Sequence, residues 1–212
     1  MPEFIREFPI VTRTDRDCEM PCLVEYVQGK KKIKSFLDIG AHYTWYYYAS
    51  KIREYIGQYD GIDILDDPKG RDIMDNYYVG NANTFELKPH DVVACVSTIE
   101  HAGVSTYKGD CKKEQMDLFK RCLELAKKSL WISFPVGAGY YFENEFSTIV
   151  RDQLDEWERL VKPYKVNQRF FYSEGPQASK PWREHKDRDF ALSVPYIVEI
   201  GNQSICLLEV EK

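Results

Sequence analysis

Three short stretches of this chain carry residue types suited to chemistry. Glu100 and His101 follow directly on the nearly unbroken apolar run DVVACVST, residues 91–98. A histidine there suits proton transfer near neutral pH, where its ring titrates. It would serve equally as a hydrogen-bonding residue that orders its loop. Glu100 has three roles open to it: orienting His101, binding substrate, or packing against a ligand. Asp38, Gly40, Ala41 and His42 close a second apolar run, IKSFLDI. An acid ending a buried strand, then small residues, then a helix N-terminus often hold nucleotide-derived ligands. Asp63 ends the short stretch DGID. It lies roughly 20 residues beyond Gly40, the separation at which a second-strand acid meets a ribose hydroxyl.

These residues need strands and helices to position them. Apolar runs predict strands over 33–39, 60–65, 77–82, 91–98, 130–136 and 166–173. The run at 91–98 reads as a central parallel strand buried on both faces. Helices are predicted over 44–56, 112–129 and 145–161. In the second of these, Met116, Phe119, Leu123 and Ala126 share one face, and the third carries Phe146, Ile149, Leu154, Trp157 and Leu160. Residues 1–20 are mixed and partly extended. PCLVEYVQ, 21–28, predicts a short helix with proline near its first turn and Gly29 ending it. Lys30 to Lys32 read as a solvated loop, and 66–76 is turn-rich. The polar stretch 174–189 is long for a loop and reads as a lid, with Trp182, Arg183 and His185 as candidate substrate contacts. Tyr196–Ile200 and Ser204–Glu211 flank Gly201-Asn202 and predict a closing hairpin. Strands alternate with helices, so the class is α/β with a mostly parallel sheet.

Composition narrows the function. The 212 residues suit one domain of 33–212 behind an N-terminal extension of 1–32, read as a helical cap. A hydrophobic share of 43% is enough for a full core. No apolar run approaches the ~20 residues that span a membrane, and the charged N-terminus argues against a secretory signal. A net charge of −5 gives no footprint for nucleic acid. The six cysteines form no CxxC pair. Cys18 and Cys22 lack a second pair at finger-like spacing, so no metal site is expected and the cysteines read as reduced and cytoplasmic. The 15 tyrosines suggest an aromatic-lined cleft.

The series LDIGAH, YDGID, VGNAN, DVVACVSTIEH and LWISFPVG resembles the successive motifs of class I S-adenosylmethionine-dependent methyltransferases, over roughly Ile33 to Val136. More narrowly, STIEHAGVSTYKGD followed by SFPVG looks like a group of small methyltransferase-like proteins often associated with polysaccharide or surface-glycan genes. The resemblance implies a Rossmann-like, seven-stranded sheet with an antiparallel last strand and helices on both faces. It also implies S-adenosylmethionine as cofactor. Asp38, Gly40, Ala41 and His42 would flank its methionine part, and Asp63 would take both ribose hydroxyls. Asn81 and Ala82 would meet the adenine edge, and Ser97 and Thr98 would close the fourth strand. Acceptors enter this fold near Tyr107, Tyr140 and Tyr141. The sequence departs from the family pattern where His42 and Thr44 replace glycines and where Asn81 replaces an acid.

The expectation is methyl transfer to a small polar acceptor, such as a sugar or surface-glycan precursor, with His101 taking a proton and Glu100 assisting. The altered glycine loop leaves a second reading open: an inactive Rossmann-like module acting as a partner in a complex. A nicotinamide oxidoreductase is a weaker third reading, because no GxGxxG is present to admit a pyrophosphate. The sequence does not fix the oligomeric state.

Overall fold

The apolar runs of the sequence become neighbouring strands of one sheet. The computed structural model describes residues 1–43, 46–104, 111–139, 142–143, 146–175, 179–195 and 202–212. In chain order its elements are β1 (Arg6–Phe8), α1 (Arg16–Gly29), β2 (Ile33–Ile39), α2 (Tyr46–Arg53), β3 (Ile56–Asp63), α3 (Pro68–Ile73) and β4 (Asn76–Val79). They continue with β5 (His90–Val96), α4 (Cys111–Leu125), β6 (Ala126–Pro135), β7 (Phe142–Glu143), β8 (Phe146–Ser147), α5 (Arg151–Val161), β9 (Lys165–Ser173), β10 (Trp182–His185), α6 (Arg188–Ser193) and β11 (Gln203–Glu211). Single 3-10 turns, Ala41–Tyr43 and Ile99–His101, follow β2 and β5.

Strand order is β1-β10-β9-β11-β6-β5-β2-β3-β4. β4, β3, β2, β5 and β6 are parallel, and β11 runs antiparallel between β6 and β9. The sheet therefore has nine strands rather than the expected seven. The two added strands, β10 and β1, extend the edge beyond β9, each antiparallel to its neighbour. Order reverses between β2 and β5, and open α/β sheets bind ligands in the crevice beyond the strand ends at such a switch point.

Alternation along the strands divides the core into two layers, as the period-2 geometry of a strand requires. Val93 and Cys95 of β5 pack with Ile132 and Phe134 of β6 and with Phe119 and Trp157 from α4 and α5. Val92 and Ala94 pack on the other face with Trp131, Ile52 and the Cys18, Leu23 and Val27 side of α1. The Phe119 and Trp157 rings stack at 4.6 Å, a geometry worth ~0.5–1.5 kcal/mol beyond the area buried. Residues of the 1–32 segment thus share a core layer with the sheet.

Several boundaries differ from the sequence reading. α1 begins at Arg16, where the Asp15 carbonyl accepts the N–H groups of Cys18 and Glu19, and Pro21 lies inside it. Acids in its first turn disguised that start. β6 begins at Ala126, paired with His90, so residues 126–129 leave the predicted helix for the sheet. Phe146 lies in β8, not in a helix. The predicted 174–189 loop contains β10. β11 is hydrogen-bonded to β6 on one edge and β9 on the other, which leaves no edge for a hairpin with 196–200; those residues lie outside the described set.

Candidate functional site

The crevice is built where β2 and β5 end side by side. Gly40 has φ +83° and donates its N–H to the Ile62 carbonyl at 2.9 Å. A Cβ there would lie 2.0 Å from Thr98 Oγ1, so close approach and backbone conformation both require glycine. Thr98 Oγ1 donates to the Val96 carbonyl at 2.9 Å. Ala41 is buried, and the His42 N–H donates to Asp63 Oδ2 at 3.2 Å. Asp63 Oδ1 accepts the Leu65 N–H at 2.9 Å, and its carbonyl accepts the Gly80 N–H at 2.8 Å. The Asp63 carboxylate is thereby held at the rim and joins the ends of β2, β3 and β4.

Beyond β4, Asn81 is exposed and its Oδ1 accepts the Asn83 N–H at 2.9 Å, while Ala82 is buried. Asp38 is buried one layer down and accepts the Tyr59 hydroxyl at 3.1 Å. Burial, with Asp38 beside it, pushes the Tyr59 hydroxyl well above the usual tyrosine range. Ile64 and Leu65, 67% and 49% exposed, sit next to Asp63 as an apolar surface that the sequence reading did not single out.

A second group of charges lies where β5 ends against α1. Ser97 has φ +37°, a strained conformation for a non-glycine residue. Its Oγ lies 2.6 Å from Glu19 Oε1 and 3.2 Å from Asp15 Oδ2. Arg16 Nη1 meets Glu19 Oε2 at 2.5 Å, and Nη2 reaches toward the Val96 carbonyl at 3.5 Å. Burial opposes the charge on Arg16, but Glu19 and Asp15 outweigh it and raise the guanidinium pKa. Glu100 is 3% exposed, and its Oε2 has no hydrogen-bond partner. Burial first, then Glu19 and Asp15, hold the Glu100 carboxyl well above the usual glutamate range. Gln115 of α4 fixes this turn by donating to the Glu100 carbonyl at 3.2 Å and to Ser147 Oγ at 2.7 Å. His101, one residue on, is exposed.

The fold thus brings Asp38, Gly40, Ala41, His42, Asp63, Asn81, Ala82, Ser97, Thr98, Glu100 and His101 to one edge of the sheet. Trp182 and Arg183 stand elsewhere, in edge strand β10 rather than in a lid. Trp182 is buried and its indole N–H donates to the Thr14 carbonyl at 2.8 Å. Arg183 pairs with Glu174 at 2.6 Å and lies 4.1 Å over the Phe4 ring. Their work is to fasten the N-terminal segment. Tyr107, Tyr140, Tyr141 and Thr44 lie outside the described residues. Asp15, Arg16 and Glu19 escaped the sequence reading because the helix was placed from Pro21; acids after Thr14-Asp15 were the available helix-start signal. Among the described residues, no group of three or more His, Cys, Asp or Glu side chains is placed to hold a metal ion.

No protein-family model matches this chain, and no curated protein matches it in sequence. Solved structures do match in shape. A protein from Bacillus halodurans assigned as a methyltransferase superposes with a TM-score of 0.63 at 10% identity, over 92% of this chain and 98% of that one. An S-adenosylmethionine-dependent methyltransferase from Archaeoglobus fulgidus gives 0.57 at 14%, over 94% and 96%. Magnesium protoporphyrin IX methyltransferase from Synechocystis, with bound S-adenosylhomocysteine, gives 0.56 at 10%, over 91% and 82%. The chain has the α/β fold of the class I methyltransferases. At these identities the likeness is one of fold.

Proposed function

We propose that this protein transfers a methyl group from S-adenosylmethionine to a small polar acceptor of the sugar or surface-glycan-precursor class. The observation that carries the reading is Asp63. Its carboxylate is held at the strand ends by two backbone N–H groups, and a carboxylate's roughly four lone-pair sites leave room for two ribose hydroxyls. Exposed Ile64 and Leu65 offer a heteroaromatic ring an apolar surface, and Asn81 and Ala82 stand near enough to read its edge. Asp38, Gly40, Ala41 and His42 would line the amino-acid end, with Ser97 and Thr98 opposite. When bound, this cofactor supplies a methyl group carried on a sulfonium cation.

The remaining work falls to the chain. Holding an acceptor in line with that methyl is a proximity effect. His101, exposed at the crevice, takes the proton from the acceptor, and Glu100 beside it assists. Tyr107, Tyr140 and Tyr141 would contact the acceptor. We read 33–212 as the catalytic domain and 1–32 as the element closing it, since Asp15 and Arg16 border the crevice. The described cysteines are free, in keeping with a reducing, cytoplasmic setting. No described helix is long and apolar enough to cross a membrane.

Calorimetric titration with S-adenosylmethionine and S-adenosylhomocysteine tests the proposal. Micromolar binding is expected. Binding of neither by folded protein would remove methyl transfer and favour the inactive-partner reading that His42 and Thr44 raise.

A further inference from the structure

The charges around Glu100 do not balance. Asp15, Glu19 and Glu100 bring three carboxyl groups together, and Arg16 is the one cation set among them, already engaged by Glu19. The helix dipole favours acids in the first turn of α1, which accounts for Glu19. It does not account for Glu100, which belongs to the turn after β5. A buried carboxyl oxygen without a partner is rare in folded proteins and points to a group supplied from outside. The cluster is reachable: the side chains of Asp15 and Arg16 are 25% and 18% exposed, whereas Glu19 and Glu100 form its floor.

We infer that this cluster binds a cationic nitrogen, so that the acceptor is an amine, such as an amino sugar, rather than a simple hydroxyl compound. The inference rests on the methyl-transfer reading for its purpose but not for its chemistry. An ammonium group donates up to three hydrogen bonds and carries the missing charge, so it completes both the orphaned Glu100 oxygen and the local balance. A neutral hydroxyl completes only the first. The groups facing Glu100 are Asp15, Arg16 and Glu19 from α1 and Cys95 from β5, while Gln115 of α4 holds its backbone. Two acids among them against one fixed cation keep Glu100 protonated while the cluster is empty. Entry of an ammonium ion then displaces the carboxyl proton to solvent. The O–H bond breaks, the proton goes to buffer, and the resulting carboxylate accepts an N–H from the ligand.

The test is calorimetry at pH 7 with ethanolamine and D-glucosamine, against ethylene glycol and N-acetyl-D-glucosamine as neutral counterparts. Each titration is repeated in two buffers of different ionisation enthalpy, with and without S-adenosylhomocysteine. The expected result is at least roughly tenfold tighter binding of an amine than of its neutral counterpart, with about one proton released per amine bound. Glu100→Gln, confirmed folded by circular dichroism, should abolish the proton release and weaken amine binding roughly tenfold. Equal binding of amine and neutral probe, amine binding without proton release, or no amine binding would each overturn the inference. Amine binding with proton release by a protein that ignores S-adenosylhomocysteine would keep it and sink the methyl-transfer reading.

Discussion

Gly40 and Thr98 touch across the strand ends, so closely that a methyl group on Gly40 would lie 2.0 Å from Thr98 Oγ1. This contact sets the distance between the β2 and β5 loops that form the crevice. Gly40→Ala adds that clash to a left-handed backbone, which alone costs an alanine ~1–2 kcal/mol. The expected loss is about 2 kcal/mol or more in urea unfolding. Adding Thr98→Gly should recover the steric part and leave the backbone part. An unchanged midpoint for Gly40→Ala would show that the loops do not approach as described.

Asp63 is the residue on which cofactor recognition turns. Asp63→Asn keeps an acceptor oxygen but loses the charge and half the acceptor capacity. The expected effect is roughly tenfold or more weaker S-adenosylhomocysteine binding, since hydrogen bonds to charged groups contribute about 1.5–3 kcal/mol each. Unaltered affinity would remove Asp63 from the ribose.

Glu100 makes stability depend on pH in a stated direction. Burial, reinforced by Glu19 and Asp15, raises its pKa in the folded protein. Above an ordinary glutamate value of about 4.3, the unfolded chain has released a proton that the folded protein still holds. Stability therefore falls as pH rises from there until the folded carboxyl also ionises. Glu100→Gln should melt higher than the parent near pH 8 and show a shallower decline above about pH 5. Parallel melting curves across that range would contradict a buried, protonated Glu100.

His185 works in the opposite sense. It is buried among the rings of Phe4, Phe170 and Phe190. Burial lowers its pKa, although Asp187 and Glu184 pull the other way. Below about pH 6.5 the unfolded chain takes up a proton that the folded ring resists, so stability is lost as pH falls through that window. His185→Phe keeps an aromatic filling and should lose less stability than the parent between about pH 6.5 and 5. Equal acid sensitivity would place the titrating group elsewhere.

The sequence determined the α/β class and the parallel heart of the sheet, because runs such as DVVACVST admit little other than a strand buried on both faces. It also located Asp38, Gly40, Asp63 and Glu100 at strand ends, since those positions depend on local pattern and short spacing. Tertiary structure alone decided the rest. β10 and β1 are short and polar, and they exist because each finds an edge to pair with, which no local pattern announces. Trp182 looked like a lid residue in a polar stretch and proved to be an anchor for the Thr14 carbonyl. The cluster of Asp15, Arg16, Glu19 and Glu100 joins residues some eighty positions apart, and only the packing of α1 against the end of β5 brings their charges into one another's field.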